Sequence, residues 1–301
     1  MSDSLAQQLS NDLVGAASTT APSLVLLRGR RGRAASGTVI DAQSFVVSDH
    51  LLDADEEVRA RTADGEIVGH IVGRDAAADL ALLRADGATL APVTFATDSP
   101  RVGEIVLAVG RTWSGLVAHP GFVTHLSGPH QVSQGFRLDQ AIHTSLEPFS
   151  GFSGGALVNV RGEVVGISTS ALDRGRGLAI PAHDVRRVVE SLRQHGRLRR
   201  GYLGISSLSV ALPERQRQGG RERGLLVTSV APGSPADSAQ VLVGDVILAI
   251  DESSAGRPDD LSAYLSGDRV GQRAALRVLR GTSPVQLEVT IGERTGETRR
   301  G

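Results

Sequence analysis

A repeated rhythm of short β-prone runs limits what this chain can fold into more than any other feature. Between residues 23 and 85 six such runs follow one another: SLVLLRG, SGTVID, SFVVSD, EVRART, EIVGHIVG and LALLRA, separated by turns such as Asp64-Gly65. Short strands at this spacing predict an antiparallel barrel or sandwich. A polar stretch (TDSPR, residues 97–101) intervenes, and a second set follows: EIVLAVG, GLVAHPGFVTHLS, FRLDQAIHT, GALVNV, VVGISTSA and GLAIP. The pattern is that of two successive β units of similar size, about 23–98 and 99–182, with a cleft between them.

The flanking segments differ. Leu5, Leu9 and Leu13 recur four apart, which predicts a short amphipathic helix within the N-terminal segment 1–22. DVRRVVESLRQ, residues 184–194, reads as a linker helix capped by Asp184, with Val185, Val188, Val189 and Leu192 on its apolar face. Residues 201–293 form a separate mixed α/β unit: GLLVTSV, GDVILAI, AALRVLR and VQLEVTI are strand-like, and helices are expected around 234–239 and 259–266. Pro235 and Pro258 lie near those helix starts, where proline is tolerated. Residues 294–301 read as a tail.

Composition removes several functions. A length of 301 residues suits two or three domains, and a net charge of −1 is unlike that of a nucleic-acid binder. All 32 basic residues are arginine, which reads as coding bias. There is no cysteine, so disulfides, thiolate catalysis and Cys-ligated zinc are excluded. No His/Asp/Glu cluster suggests a metal, and no cofactor is expected. The start, MSDSLAQQLSNDLVGAAS, has neither a basic n-region nor a long apolar core. The expectation is a cytoplasmic location if the chain is full length, and a periplasmic or extracytoplasmic one if an export signal was removed.

The chemistry concentrates in FSGFSGGALV, residues 149–158, where Ser153 stands among Gly151, Gly154 and Gly155. Glycines permit a tight, open turn that exposes a hydroxyl and aims backbone N–H groups at one point. A serine nucleophile needs a base, and the base needs a carboxylate to fix its tautomer. His50 ends FVVSDH, and Asp79 opens DLALL, with Asp75 as a rival carboxylate four residues earlier. The order His50, Asp79, Ser153 is one of the chain orders known for this triad.

These motifs resemble those of the HtrA (Deg-type) serine proteases: VVSDHLL around the base, DLALL at the carboxylate and GFSGGALVN at the nucleophile, followed in order by RGEVVGIST, GLAIP and RRGYLGI. The resemblance implies a mainly β chain: a chymotrypsin-like double β-barrel (residues 23–200, linker helix included) followed by a PDZ domain (201–293). It implies that His50 is the base, Asp79 its orienting partner and Ser153 the nucleophile, with an oxyanion hole made by the N–H groups of Gly151 and Ser153. It also implies an ATP-independent endopeptidase acting on unfolded or damaged proteins through an acyl-enzyme. In the PDZ unit, Tyr202, Leu203, Gly204 and Ile205 match the loop that receives a peptide's terminal carboxylate, and Leu261 and Leu265 should wall the groove. C-terminal peptides are therefore expected partners.

Several positions depart from the family. Phe152 replaces the usual Asn before the nucleophile, and residues 144–150 (TSLEPFS) are rewritten. Glu147 lies six before Ser153, where trypsin-like enzymes place the acid that selects Arg or Lys at P1. The competing reading is a solvated or ion-paired glutamate with the family's small aliphatic P1 preference retained. The family usually trimerises through aromatics near the N-terminus, but the first aromatic here is Phe45, so the homo-oligomer stays an open expectation. The departures also motivate a second function, a catalytically silent peptide-binding scaffold or holdase.

Overall fold

The structure is a computed structural model. It describes residues 4–53, 57–128, 130–133, 136–138, 140–147, 149, 151–172, 177–217, 222–266 and 269–293. The expected tail, 294–301, lies outside the described residues, as do Pro148 and Ser150 of the rewritten segment. The chain divides into two compact units, residues 1–198 and 199–301. It is mostly β, with two closed six-stranded barrels in the first unit.

Helix α1 (Leu5–Thr20) is capped by Ser4, whose hydroxyl accepts the Gln7 N–H at 3.2 Å. Its buried contacts come from Ala16 and Thr20, with Leu13 and Ala17 packed against the core. Leu5 and Leu9 are exposed, so the expected leucine face is engaged only at its C-terminal end. The first barrel comprises β1–β6 (Leu24–Arg28, Ala34–Asp41, Ser44–Val47, Glu57–Arg61, Glu66–Asp75, Leu80–Arg84) and closes in the order β1-β2-β3-β6-β5-β4. The second uses β7 (Ile105–Thr112), β8 (Gly115–Leu126) and β11–β14 (Ile142–Thr144, Ala156–Asn159, Val164–Thr169, Gly177–Pro181), in the order β11-β14-β13-β12-β7-β8. Between β8 and β11 lies the hairpin of β9 (His130–Ser133) and β10 (Phe136–Leu138). FRLDQAIHT is therefore two short strands in different sheets, because the chain turns at Gln140–Ala141 to rejoin the barrel.

Alternation within the apolar runs explains how the barrels meet. Along β1, β3 and β6, Val25, Leu27, Phe45, Val47, Ala81 and Leu83 point into the first barrel. Their neighbours Leu24, Val46, Leu80 and Leu82 point the other way, into a core shared with Leu107, Val109, Ala156, Val158, Ile167 and Ile180 of the second barrel. A strand has two faces, and both faces of these strands are covered, so their runs are continuous rather than alternating. The same shared core receives Val185, Val188, Val189 and Leu192 of α2 (Ala182–His195). Asp184 is not the cap of that helix. It sits in the first turn, fully buried, and pairs with Arg187 and with His183; Pro181, whose fixed backbone suits a helix start, occupies the cap position.

In the second unit, β16–β18 (Ile205–Ala211, Arg223–Val230, Val246–Ile250), β20 (Arg273–Arg280) and β21 (Ser283–Thr290) form one sheet, in that order, and β19 (Ser253–Ser254) pairs with β18. β15 (Gly201–Tyr202) pairs with β22 (Gly292–Glu293). Helices α3 (Pro235–Ser238) and α4 (Pro258–Leu265) each begin on their proline. Leu261 is buried in this unit's own core, while Leu265 is only partly covered by it. Among the described residues no helix is long and apolar enough to cross a membrane.

Candidate active site

The first barrel supplies a histidine and an aspartate on adjoining turns. β3 runs into a single 3-10 turn, Asp49–Leu51, which carries His50. The β5–β6 turn is held from within by Asp75, whose Oδ1 accepts the Ala78 N–H at 2.8 Å. Asp79 closes that turn with φ +52°, a left-handed conformation that Asp tolerates better than most residues. Its side chain is almost wholly buried and is aimed at His50: the ring Nδ1 lies 2.9 and 3.0 Å from the two carboxylate oxygens. The His50 backbone N–H donates to Asp79 Oδ1 at 2.9 Å, and the Thr169 hydroxyl donates to Oδ2 at 2.5 Å. A buried carboxylate needs such donors to offset lost hydration. The pairing places the proton on Nδ1 and leaves Nε2 as the acceptor. Thus Asp79 faces the imidazole, while Asp75 shapes the turn beneath it.

The second barrel supplies Ser153, on the turn between Phe149 and β12. Phe152 N–H donates to Phe149 O and Gly155 N–H to Phe152 O. First-barrel groups hold the rest of the turn. Ser36 Oγ donates to Gly151 O at 2.5 Å, Ser36 N–H to Ser153 O at 3.3 Å, and Thr38 Oγ1 to Gly154 O at 2.9 Å. Gly154 is obligatory on two counts: φ is +81°, and a Cβ there would fall 2.1 Å from Ser36 O. Among the described residues, the N–H groups of Gly151 and Ser153 meet no acceptor, whereas those of Phe152 and Gly154 do. The Ser153 hydroxyl pairs with Ser170 Oγ at 3.0 Å.

Two hollows flank Ser153. One is a cavity of about 40 Å³, with Ala108, Phe152, Leu157, Leu178 and Ala179 among its walls and Glu147 also lining it. Glu147 is exposed. Phe152 is buried and packs edge-on against His119 and Phe149, with ring centroids 5.7 and 5.8 Å away. Its side chain thus anchors the turn in the barrel core. The other hollow is an open cleft of about 650 Å³ bordered by His50, Gly151, Ser153 and Ser170, and by Arg30, Arg33, Ala34, Leu51 and Asp53.

In the second unit, the Tyr202–Ile205 stretch forms a tight loop. Gly204 has φ +84°, and a Cβ would collide with Ser234 at 2.2 Å. The carbonyls of Leu203 and Gly204 accept from Ala236 and Ala231, while the N–H groups of Leu203 and Gly204 meet no acceptor among the described residues. β16, which follows, is an edge strand with α4 beside it.

Sequence reasoning did not single out Ser36, Thr38, Thr169 or Ser170. Hydroxyl residues are ordinary in strands, and nothing in their spacing marks them; only the folded contacts do.

Paired closed barrels, with a His–Asp pair from one and a serine on a glycine-rich turn from the other, define the trypsin-like peptidase class. The sequence profile of the trypsin-like peptidase domain matches residues 35–167, and that of the PDZ domain matches 201–291. The chain belongs to the HtrA-type serine protease family with a C-terminal PDZ domain. A probable periplasmic serine endoprotease DegP-like of Ectopseudomonas mendocina is 32% identical over 266 residues, covering 85% of this chain and 56% of that protein. The periplasmic pH-dependent serine endoprotease DegQ of Escherichia coli is 30% identical over 275 residues, covering 87% and 60%. This chain therefore spans less than two thirds of the length of these two relatives. The solved structure of the HtrA-type protease AlgW with tripeptide superposes with a TM-score of 0.78 at 29% identity, covering 94% of this chain and 98% of that one.

Proposed function

We propose that the chain is a serine endopeptidase that cleaves unfolded or damaged polypeptides, with His50, Asp79 and Ser153 as its triad. The observation that carries this is the His50 ring held by both oxygens of buried Asp79 on the border of a cleft that Ser153 also lines. His50 Nε2 takes the Ser153 proton as Oγ attacks the scissile carbonyl, and Asp79 stabilises the imidazolium. The N–H groups of Gly151 and Ser153 receive the oxyanion. His50 then returns the proton to the leaving amine, and water resolves the acyl-enzyme by the same route. Relatives named periplasmic support an extracytoplasmic place of action.

For P1, Glu147 at the cavity wall supports a basic residue, and the cavity itself supports a small one. The cavity is small, about 40 Å³, and Ala108, Phe152, Leu157, Leu178 and Ala179 are among its walls, which suits a small aliphatic side chain. We favour the small aliphatic reading. Matched peptides with Val or Arg at P1 decide it, and faster cleavage after Arg would restore Glu147 as the selecting acid.

The free N–H groups of the Leu203–Gly204 loop and the β16 edge suit a C-terminal peptide added as a strand. We infer that such peptides stimulate cleavage. Deleting residues 201–301 is then expected to abolish stimulation and keep the basal rate; stimulation that survives the deletion refutes this. The central test is labelling by a fluorophosphonate alongside casein cleavage, for the native chain and Ser153→Ala. Both should occur in the native chain and vanish in the variant. A native chain that neither labels nor cleaves, even with PDZ peptides present, would favour the silent scaffold or holdase.

A further inference from the structure

The open cleft beside Ser153 has a charge that the triad does not use. One of its walls is the segment that joins β1 to β2, and it presents Arg30 and Arg33. Arg30 is well exposed and pairs loosely with Asp53, at 3.4 Å. Arg33 is exposed and has no charged partner among the described residues. The nearby Asp49 is already occupied by Arg74 at 2.6 Å, and the Arg74 guanidinium also bonds Asp53 O at 3.0 Å. Among the described residues, Arg30, Arg33 and the exposed carboxylate of Asp53 are the side chains of fixed charge that border the cleft, an excess of positive charge.

The topology settles which half of a substrate meets this wall. The apolar cavity that would take the P1 side chain is built from second-barrel residues, among them Ala108, Leu157 and Leu178. The acyl half of a substrate lies on that side. The leaving amine must collect its proton from His50, so the chain beyond the scissile bond departs across the first barrel. Ala34 and Arg33 stand there, two and three residues before Ser36, the residue whose N–H and hydroxyl hold the nucleophile turn.

Resting on the peptidase reading above, we propose that Arg30 and Arg33 form a basic subsite for the leaving half of the substrate, selecting polypeptides with Asp or Glu at P1′ to P3′. The subsite is solvent-exposed, so each ion pair is weak and screened by salt. Its effect is a discrimination of about fivefold at low ionic strength, enough to bias the choice among many bonds in an unfolded chain.

The test uses the full chain carrying Ser153→Ala and fluorescence anisotropy, so that turnover is not required. Two peptides share P4 to P1 and differ at P1′ to P3′, one with Glu and one with Lys. The Glu peptide should bind about fivefold tighter at low salt, and the gap should close at 0.5 M salt, where screening acts over roughly 4 Å. Adding Arg33→Glu should reverse the order of the two peptides, a gain that misfolding cannot produce. Equal affinities, tighter binding of the Lys peptide, or no binding of either peptide overturns the subsite. Fluorophosphonate labelling of the native chain separates the two levels. Where it labels, only the subsite falls; where it does not, the peptidase reading falls with it.

Discussion

In the first barrel, the turn that carries Asp79 is held by its own barrel: Asp75 bonds Ala78, and the backbone of the neighbouring 3-10 turn bonds Asp79. In the second barrel, the turn that carries Ser153 takes much of its support from elsewhere. Ser36 and Thr38, both on β2 of the first barrel, bond the carbonyls of Gly151, Ser153 and Gly154. In return, Thr169 of β13 donates to Asp79, and the Arg111 N–H of β7 donates to Ser36. The His50–Asp79 pair is thus largely a property of one barrel, whereas the Ser153 turn is a property of the packed pair. Each barrel can be substituted separately to see which half of the site gives way.

The largest effect is expected inside the first barrel. Asp79→Asn should lower kcat by roughly four orders of magnitude, because an amide permits the wrong imidazole tautomer, while circular dichroism stays native. A loss below tenfold would mean that an amide at position 79 still orients His50. Next comes the seam between the barrels. Leu82→Ala should cost about 2–5 kcal/mol of stability in denaturant titration, since Leu82 is buried against both halves of the shared core. If the nucleophile turn depends on the seam, fluorophosphonate labelling should fall before the far-UV signal as denaturant rises.

Ser36→Ala sharpens the comparison more directly. It removes the donor to Gly151 O and the acceptor of the Arg111 N–H, and should lower kcat by about 10- to 100-fold with little change in KM. Unchanged kcat would show that Phe152, packed on His119 and Phe149, suffices to hold the turn. The smallest effect concerns the PDZ unit. The Tyr264 hydroxyl and the Ala275 N–H hold the Asp251 carboxyl below its ordinary value. Burial opposes the charge on Asp245, but the Arg280 guanidinium and the Leu242 N–H outweigh it and also lower that carboxyl. Both groups bind protons more readily when unfolded, so they stabilise the fold above about pH 4, and that contribution is lost as pH falls further. Thermal melts of residues 199–301 should show this acid loss, and Asp251→Asn should flatten part of it; an unchanged profile would assign it elsewhere.

Much of the architecture was legible before folding. Apolar runs of three or four residues between turns mark strands whatever their partners, so LVLL, FVV and LALL announced β1, β3 and β6. The helix at 182–195 was legible from its apolar period, though its cap was not: Asp184 has the chemistry of a cap, yet it sits buried within the first turn, paired with His183 and Arg187. The residues of the proposed triad were nameable from the sequence because each sits in a local motif of several residues. Ser36, Thr38 and Thr169 were not, because a hydroxyl in a strand has no local signature, and the contacts that define their roles span 115, 116 and 90 residues.

The chain's own chemistry therefore determined which residues can attack, accept a proton and turn tightly, since those properties belong to side-chain type and short-range backbone freedom. Closure and packing of the barrels decided the rest: which hydroxyls hold the nucleophile turn, how little room the apolar cavity leaves beside Ser153, and where Arg30 and Arg33 stand. Those are distances between segments far apart in the chain, and strand register and the shared core set them.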